Sequence, residues 1–311
     1  MKKVTIIGGG TGIFANLSGL KEYPLDLGVV MTMMDSGGST GKLRVQLGVL
    51  PPGDLRQCLV ALSDAPKLWR DLFLYRFDEG DFRGHNFGNI FLSTLEKLAS
   101  DYDEVVELAS YILKSKGEVC PVTYTQTNLK ATYLDGTKLI SEDAIDSYKG
   151  DSNIVDLTLT NPAVATEKTV SRLKHSDFII LGPGDLYTSI FPVLLVDGVI
   201  DAIRLSKAKI IVVMNLMNKT GQTTDFSTFT ILEEFHKYLG GNKIDYVLMS
   251  NSNIDKKVLA YYASHGELPI KNDLDEKNFK GEIIKADISS TISYIKPSGD
   301  NLERTLLRHD P

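Results

Sequence analysis

A short apolar run, Val4-Thr5-Ile6-Ile7, breaks into Gly8-Gly9-Gly10-Thr11-Gly12 and then opens into a helical pattern. Ile13, Phe14, Leu17 and Leu20 recur on one face, with Asn16, Ser18 and Lys21 between them. A buried strand that feeds a helix through a turn without side chains leaves few folds open. Such a turn lets backbone N–H groups approach an anion, and the positive end of the helix points at the same place. Phosphate, most often a nucleotide's, suits it best. The match to the dinucleotide fingerprint is partial: counting from Gly8 and Gly10, the third glycine would fall at position 13, which is Ile. The competing reading is a tight strand-to-helix turn that binds nothing.

At 311 residues, with 42% hydrophobic and 24% charged residues, the chain can bury one large α/β core. A formal net charge of −6 argues against general nucleic-acid or anionic-membrane binding. Cys58 lies in an apolar helical stripe and Cys120 beside Pro121, without metal-ligand spacing, so both read as reduced thiols. Behind the N-terminal lysines only four residues precede the glycines, too few for a signal peptide, and Leu27 to Met34 is far short of a membrane span. The expected location is the cytoplasm.

Six apolar runs read as buried parallel strands: Val4–Ile7, Leu27–Met33, Phe178–Leu181, Ile210–Met214, Tyr246–Met249 and Ile283–Ala286. Helical patterns follow most of them, as with Phe226, Phe229, Leu232 and Phe235 after the fourth run. Alternation of this kind predicts a Rossmann-like, three-layer α/β fold with a parallel sheet covered on both faces. The alternation lapses between the second and third runs. Helical stripes come first (Leu55/Cys58/Leu59/Leu62, then Phe87/Ile90/Phe91/Leu98, then Val105/Leu108/Ile112). A β-rich stretch near 119–160 follows, in which Asp135-Gly136 reads as a two-residue hairpin turn. The expectation is one nucleotide-binding domain over residues 1–311, with a helical and β-hairpin insertion over about 53–165.

Polar, glycine-rich loops follow the strands. Asp35 closes the second strand 25 residues after Gly10, where nucleotide-binding folds often place an acid on a ribose hydroxyl. Ser36-Gly37-Gly38-Ser39-Thr40-Gly41-Lys42-Leu43-Arg44 then supplies free N–H groups, hydroxyls and two cations, a combination suited to oxyanions. A solvated surface turn is the alternative. In Pro51-Pro52-Gly53-Asp54-Leu55-Arg56-Gln57, Asp54 reads either as a ligand group or as an N-cap that forms a capping box with Gln57. Arg56, opposite the apolar stripe, reads as a charge for phosphate or as a solvated cation. Gly84-His85-Asn86-Phe87-Gly88-Asn89 opens a helix, with Asn86 and Asn89 as caps or as readers of a base or sugar. A lone His85 is more often structural than catalytic.

The third strand ends in Gly182-Pro183-Gly184-Asp185-Leu186-Tyr187-Thr188, a second anion-binding turn with Asp185 as its alternative N-cap. The fourth ends at Asn215, with Gly221, Gln222 and Thr223 beyond. Open α/β sheets bind ligands along this carboxyl edge. No nucleophile elbow, zinc-protease helix or P-loop is present.

These motifs in this order resemble the bacterial gluconeogenesis factors, relatives of the 2-phospho-L-lactate transferases of deazaflavin cofactor synthesis. The resemblance runs from Gly8–Gly12 through Asp35–Arg44, Leu50–Arg56, Gly84–Asn89 and Gly182–Pro192 to Asn215-Leu216-Met217. It implies a cytoplasmic protein that binds a nucleotide diphosphate or UDP-sugar and is required for growth and cell-shape control on gluconeogenic carbon. It also departs from that pattern. Ser36 stands where a second acid or amide is common, Lys42 where arginine is usual, Asp185 where serine is usual, and Gln222 where glutamate is usual. A point charge at Lys42 replaces a bidentate clamp, and an acid at Asp185 is less welcoming to phosphate.

The expected nucleotide- and phosphate-binding set is Gly9, Gly10, Thr11, Gly12, Asp35, Ser39, Thr40, Lys42, Arg44, Asp54, Arg56, His85, Asn86, Asn89, Gly182, Gly184, Asp185, Tyr187, Thr188 and Asn215. Asp35 is also the candidate ligand for Mg2+, and catalytic residues are not assigned. A magnesium-dependent transferase using a nucleotide-diphosphate-linked donor is the rival reading, and an NAD-dependent dehydrogenase is a third. Partners are expected to be small nucleotides rather than nucleic acid or membrane, with a homo-oligomer left open.

Overall fold

The computed structural model describes residues 1–10, 12–291 and 307–311. Its strands are β1 (Lys2–Gly8), β2 (Leu25–Met31), β3 (Glu118–Pro121), β4 (Leu129–Tyr133), β5 (Lys138–Ile140), β6 (Ile154–Leu159), β7 (Phe178–Leu181), β8 (Lys209–Val213), β9 (Tyr246–Ser250), β10 (Glu282–Ala286), β11 (Ser289–Thr291) and β12 (Leu307–His309). Seven of them form one sheet in the order β10-β9-β8-β7-β1-β2-β3, and every pairing in it is parallel. The central strands are apolar on both sides because helices cover both faces: Ile6, Ile7, Val29, Val30, Leu181 and Val212 are fully buried. This is the Rossmann-like three-layer α/β fold expected from the alternation.

All six expected strands are present. The seventh, β3, pairs beside β2 with Val29 opposite Val119. The stretch 53–165 therefore carries the β2–β3 crossover and an edge strand of the main sheet, together with an accessory antiparallel sheet in the order β5-β4-β6. The β4–β5 connection is three residues rather than two. Tyr133 N–H meets Thr137 O at 2.9 Å and Gly136 takes φ +87°, the left-handed residue that closes a three-residue hairpin loop.

Helices α1 (Gly12–Leu20), α2 (Gly38–Leu47), α3 (Pro52–Leu62), α4 (Lys67–Leu74), α5 (Phe87–Leu98) and α6 (Tyr102–Ile112) come before β3. A short α7 (Glu142–Asp146) follows β5, and α8 (Glu167–Lys174) precedes β7. At the amino ends of the strands, Arg172 of α8 is 2% exposed. It donates to Asp26 Oδ1 (2.6 Å), Asp26 O (2.6 Å), Val4 O (2.9 Å) and Thr5 Oγ1 (2.9 Å). Gly28 makes room for it, since a Cβ there would lie 2.5 Å from Arg172 Nε. This polar pin lies at the edge opposite the glycine turns and leaves the carboxyl edge free for them.

The strand order reverses between β1 and β7: β2 and β3 lie on one side of β1, and β7 to β10 on the other. Ligands of open α/β sheets bind at the carboxyl ends of the strands flanking such a switch point.

Candidate functional site

The turns after β1 and β7 meet at this switch point. A Cβ on Gly12 would lie 2.7 Å from Gly184 Cα, and Gly10 takes φ +62°, which favours glycine. Asn16 Nδ2 donates to Gly182 O at 3.1 Å. Asn215, just past β8, accepts from Gly184 N–H (3.1 Å) and donates to Gly184 O (2.9 Å). Three strand ends are thus tied into one rim, and the Asn215 side chain is spent on holding the second turn. Thr11 lies outside the described residues.

The segment after β2 adds the second wall. Asp35 is half-buried and accepts Gly37 N–H at 3.0 Å. Gly53 fits against it only because it has no side chain, since a Cβ would meet both the Asp35 carboxylate and Thr40 Oγ1. The capping-box expectation for Asp54 does not hold. Helix α3 starts at Pro52, with Pro51 as N-cap and no side-chain cap, so Asp54 sits inside the first turn. There it is buried and reaches the first glycine turn, with Oδ2 2.8 Å from the point a Gly9 Cβ would occupy.

Burial, then the charge of Asp35, push the Asp54 carboxyl up to about 8, against the opposing pull of Gly10 N–H and Arg56. Asp35 is also raised, by burial above all, while Gly37 N–H, the Thr40 hydroxyl, Arg44 and Arg56 work the other way. Arg56 is not a solvated cation. It is 7% exposed, and its guanidinium donates to Phe73 O at 3.4 Å.

Helices α2 and α5 start side by side. Ser39 Oγ accepts Asn86 N–H (3.2 Å) and lies 3.3 Å from His85 Nδ1. Asn86 caps α5 by accepting Asn89 N–H (3.2 Å), so the capping alternative describes its side-chain oxygen. Asn89 is buried and donates to Thr40 Oγ1 at 3.4 Å. Lys42 is exposed, while Arg44 is spent on architecture, donating to Asp35 O (2.8 Å), Asn128 Oδ1 (3.2 Å) and Thr127 O (3.3 Å). Burial lowers the His85 pKa, helped by the charges of Lys42 and Arg76, so this wall already carries positive potential.

Two expected residues turn elsewhere. Tyr187 is fully buried in a π-helical turn, Leu186–Ile190, with its ring edge-on to Phe191 and its hydroxyl donating to Glu234 at 3.0 Å. It is a core residue, displaced from the cleft because the wide turn rotates it inward. Thr188 in the same turn is also buried. Asp185 does not cap this turn with its side chain; it pairs with Lys219 at 2.6 Å.

Several residues of the site were missed. Glu142 and Asp143 of α7 grip the Asp35 loop: Glu142 Oε2 accepts Ser36 N–H (3.3 Å), and Asp143 N–H donates to Ser36 Oγ (3.0 Å). Burial, then the charges of Asp35 and Asp146, raise Glu142 to about 9. Lys219 bridges Asp146 and Asp185. The acids of α7 carry no local signature, because the accessory sheet delivers them from far along the chain. Lys219 did leave a signal, as the one cation in the polar loop from Asn215 to Thr223.

The family model described as 2-phospho-L-lactate transferase CofD matches residues 4–289. A protein of Aquifex aeolicus named "Putative gluconeogenesis factor" is 37% identical, over 100% of this chain and 94% of its own length. The "Gluconeogenesis factor" of Bacillus subtilis is 34% identical, over 99% and 94%. A crystal structure from Bacillus halodurans superposes with a TM-score of 0.90 at 31% identity, covering 99% of this chain and 96% of that one. The chain belongs to the 2-phospho-L-lactate transferase CofD family, and along its whole length it is similar to the gluconeogenesis factors.

Proposed function

We propose that this protein binds a UDP-sugar at the β1/β7 switch point and acts in the cytoplasm as a regulator of growth and cell shape on gluconeogenic carbon. The observation that carries the reading is the meeting of Gly12 with Gly184, beside Asp35, Asp54, Ser39 and His85, at one rim. The turns Gly9–Gly12 and Gly182–Gly184 would receive the diphosphate, Lys42 would balance its charge, the neutral His85 ring would offer an N–H, and Asp35 would take a ribose hydroxyl or a metal ion. Among the described residues no helix is long and apolar enough to cross a membrane.

Magnesium fits this donor set. Among the described residues no three His, Cys, Asp or Glu side chains are grouped as a metal site. Mg2+, however, is commonly held by one or two carboxylates plus substrate phosphates. Asp35 and Asp54 would be those carboxylates, since their raised pKa values mark negative charge that a cation relieves. The bound ion would neutralise diphosphate charge.

A melting series with UDP-sugars, GDP and NAD, with and without Mg2+, tests the proposal. Ligand at about 100 times Kd adds about 2.7 kcal/mol, raising Tm on the order of 5 °C. UDP-sugars are expected to give that rise. No shift at millimolar ligand overturns the reading, and a shift with NAD alone favours a dehydrogenase.

The paired acids Asp35 and Asp54 favour one second reading, a transferase in which Mg2+ and positioning carry the reaction. That reading requires metal-dependent nucleotide release when donor and acceptor alcohol are both present.

A further inference from the structure

Lys219 sits between two carboxylates from separate parts of the fold. One is Asp146, at the end of α7 on the accessory sheet; the other is Asp185, next to Gly184 in the second glycine turn. Its ammonium lies 2.6 Å from Asp185 Oδ2, and the lysine side chain is 25% exposed. Glu267 is half-buried nearby, and its carboxyl feels Lys219 as well as Asp185 and Asp146. An ammonium has three N–H donors. Two meet Asp146 and Asp185, and among the described residues no third acceptor lies on it.

The charges of Asp146, Asp185 and Lys219 sum to −1. Without the lysine, the second glycine turn and the end of α7 that faces it would carry −2 between them. We infer that Lys219 is a charge-balancing positioning residue of the diphosphate site: it neutralises the acid on the second glycine turn, anchors that turn to the accessory sheet, and keeps one N–H for a ligand phosphate. This rests on the UDP-sugar reading above and adds a residue that decides whether the turn accepts an anion.

A four-protein series tests it. Net charge at the bracket runs −1 in the wild type, −2 in Lys219→Gln, 0 in Asp185→Asn and −1 in the double variant. UDP and uridine are titrated against each by calorimetry at two salt concentrations. At a separation of several ångströms and an effective dielectric near 20, one unit of charge is worth on the order of tenfold in affinity. Lys219→Gln is therefore expected to bind UDP about tenfold more weakly. Asp185→Asn should bind at least as tightly as the wild type. The double variant should recover most of the loss, with uridine affected little throughout and the differences shrinking as salt rises.

A bracket that serves only architecture predicts another outcome: both single variants and the double variant weaken UDP and uridine alike, and that result overturns the inference. If Lys219→Gln fails to fold, Asp185→Asn and the double variant still decide. Wild type that binds no UDP removes the UDP-sugar reading itself. Wild type that binds while the series stays flat removes only the role of Lys219.

Discussion

At Gly12 the two glycine turns come so close that a methyl group has no place. A Cβ would lie 2.7 Å from Gly184 Cα, and backbone cannot swing aside as a flexible side chain can. Gly12→Ala is expected to destabilise the fold by about 1–3 kcal/mol, the usual cost of overpacking. On the proposed UDP-sugar reading it should also weaken UDP binding more than tenfold, because the two glycine turns are forced apart. Urea denaturation and calorimetry measure the two effects, and an alanine variant with unchanged affinity would separate the contact from the site. The glycine's importance could be read from its place after an apolar strand. Roles that depend on distant neighbours could not. For Asp54 the sequence left a cap beside a ligand group, and for Arg56 a surface cation beside a phosphate charge. The cap and the surface cation fall away only because α3 starts at Pro52 and buries both. Tyr187 looks like part of a binding loop until the π-helical turn rotates it into the core.

Elements declared themselves in sequence where burial on both faces made a continuous apolar run, as in β1, β2, β7 and β8. The edge strand β3 did not: Glu118-Val119-Cys120-Pro121 is four residues long and ends in proline, so it merges with the β-rich stretch behind it. Helix α5 misleads in another way. Its buried face is Gly88, Asn89, Leu92 and Ser93, of which Asn89 reaches Thr40, while Phe87 and Phe91 lie half-buried against Phe73. At the opposite edge, α8 is fastened to β1 and β2 by Arg172. Removing it takes a charged donor from Val4 O and Asp26 O, and leaving a buried acceptor unsatisfied typically costs about 1–3 kcal/mol, while the half-exposed Asp26 carboxylate turns to water. Arg172→Met is expected to lose stability of that order in urea. Lysine should rescue little, because it cannot reproduce the guanidinium fork. UDP affinity of the folded fraction should stay unchanged, since this pin and the cleft occupy opposite ends of the strands. Loss of affinity in step with stability would show that the two edges are coupled.

The described C-terminal residues return to the same end of the molecule as the cleft. Strand β12 pairs antiparallel with β11, Leu307 N–H donates to the Tyr262 hydroxyl at 3.0 Å, and Pro311 packs on α1, its Cα 3.2 Å from where a Gly19 Cβ would be. Between these contacts, His309 Nε2 lies 3.0 Å from Met214 O. Met214 immediately precedes Asn215, whose side chain holds Gly184, so this imidazole joins β12 to the rim of the cleft. Burial lowers the His309 pKa, and the Met214 carbonyl offsets this in part by favouring the N–H. Because the folded pKa lies below the unfolded one, the unfolded chain takes the proton first. The contribution to stability is complete above the unfolded value of about 6.5 and is lost as pH falls through the folded value. Urea midpoints of the wild type are thus expected to drop below about pH 6.5 relative to those of His309→Gln, which keeps an amide donor but does not titrate. UDP affinity of the folded protein should hold over the upper part of that window, because the imidazolium keeps the Nε2–H that meets Met214 O, and should fall only below the folded value, where the buried charge drives the ring and its strand out of place. A difference between the two proteins that stays constant from pH 8 to pH 5 would mean that Leu307 and Pro311 hold the tail by packing alone, leaving the rim indifferent to the charge of His309.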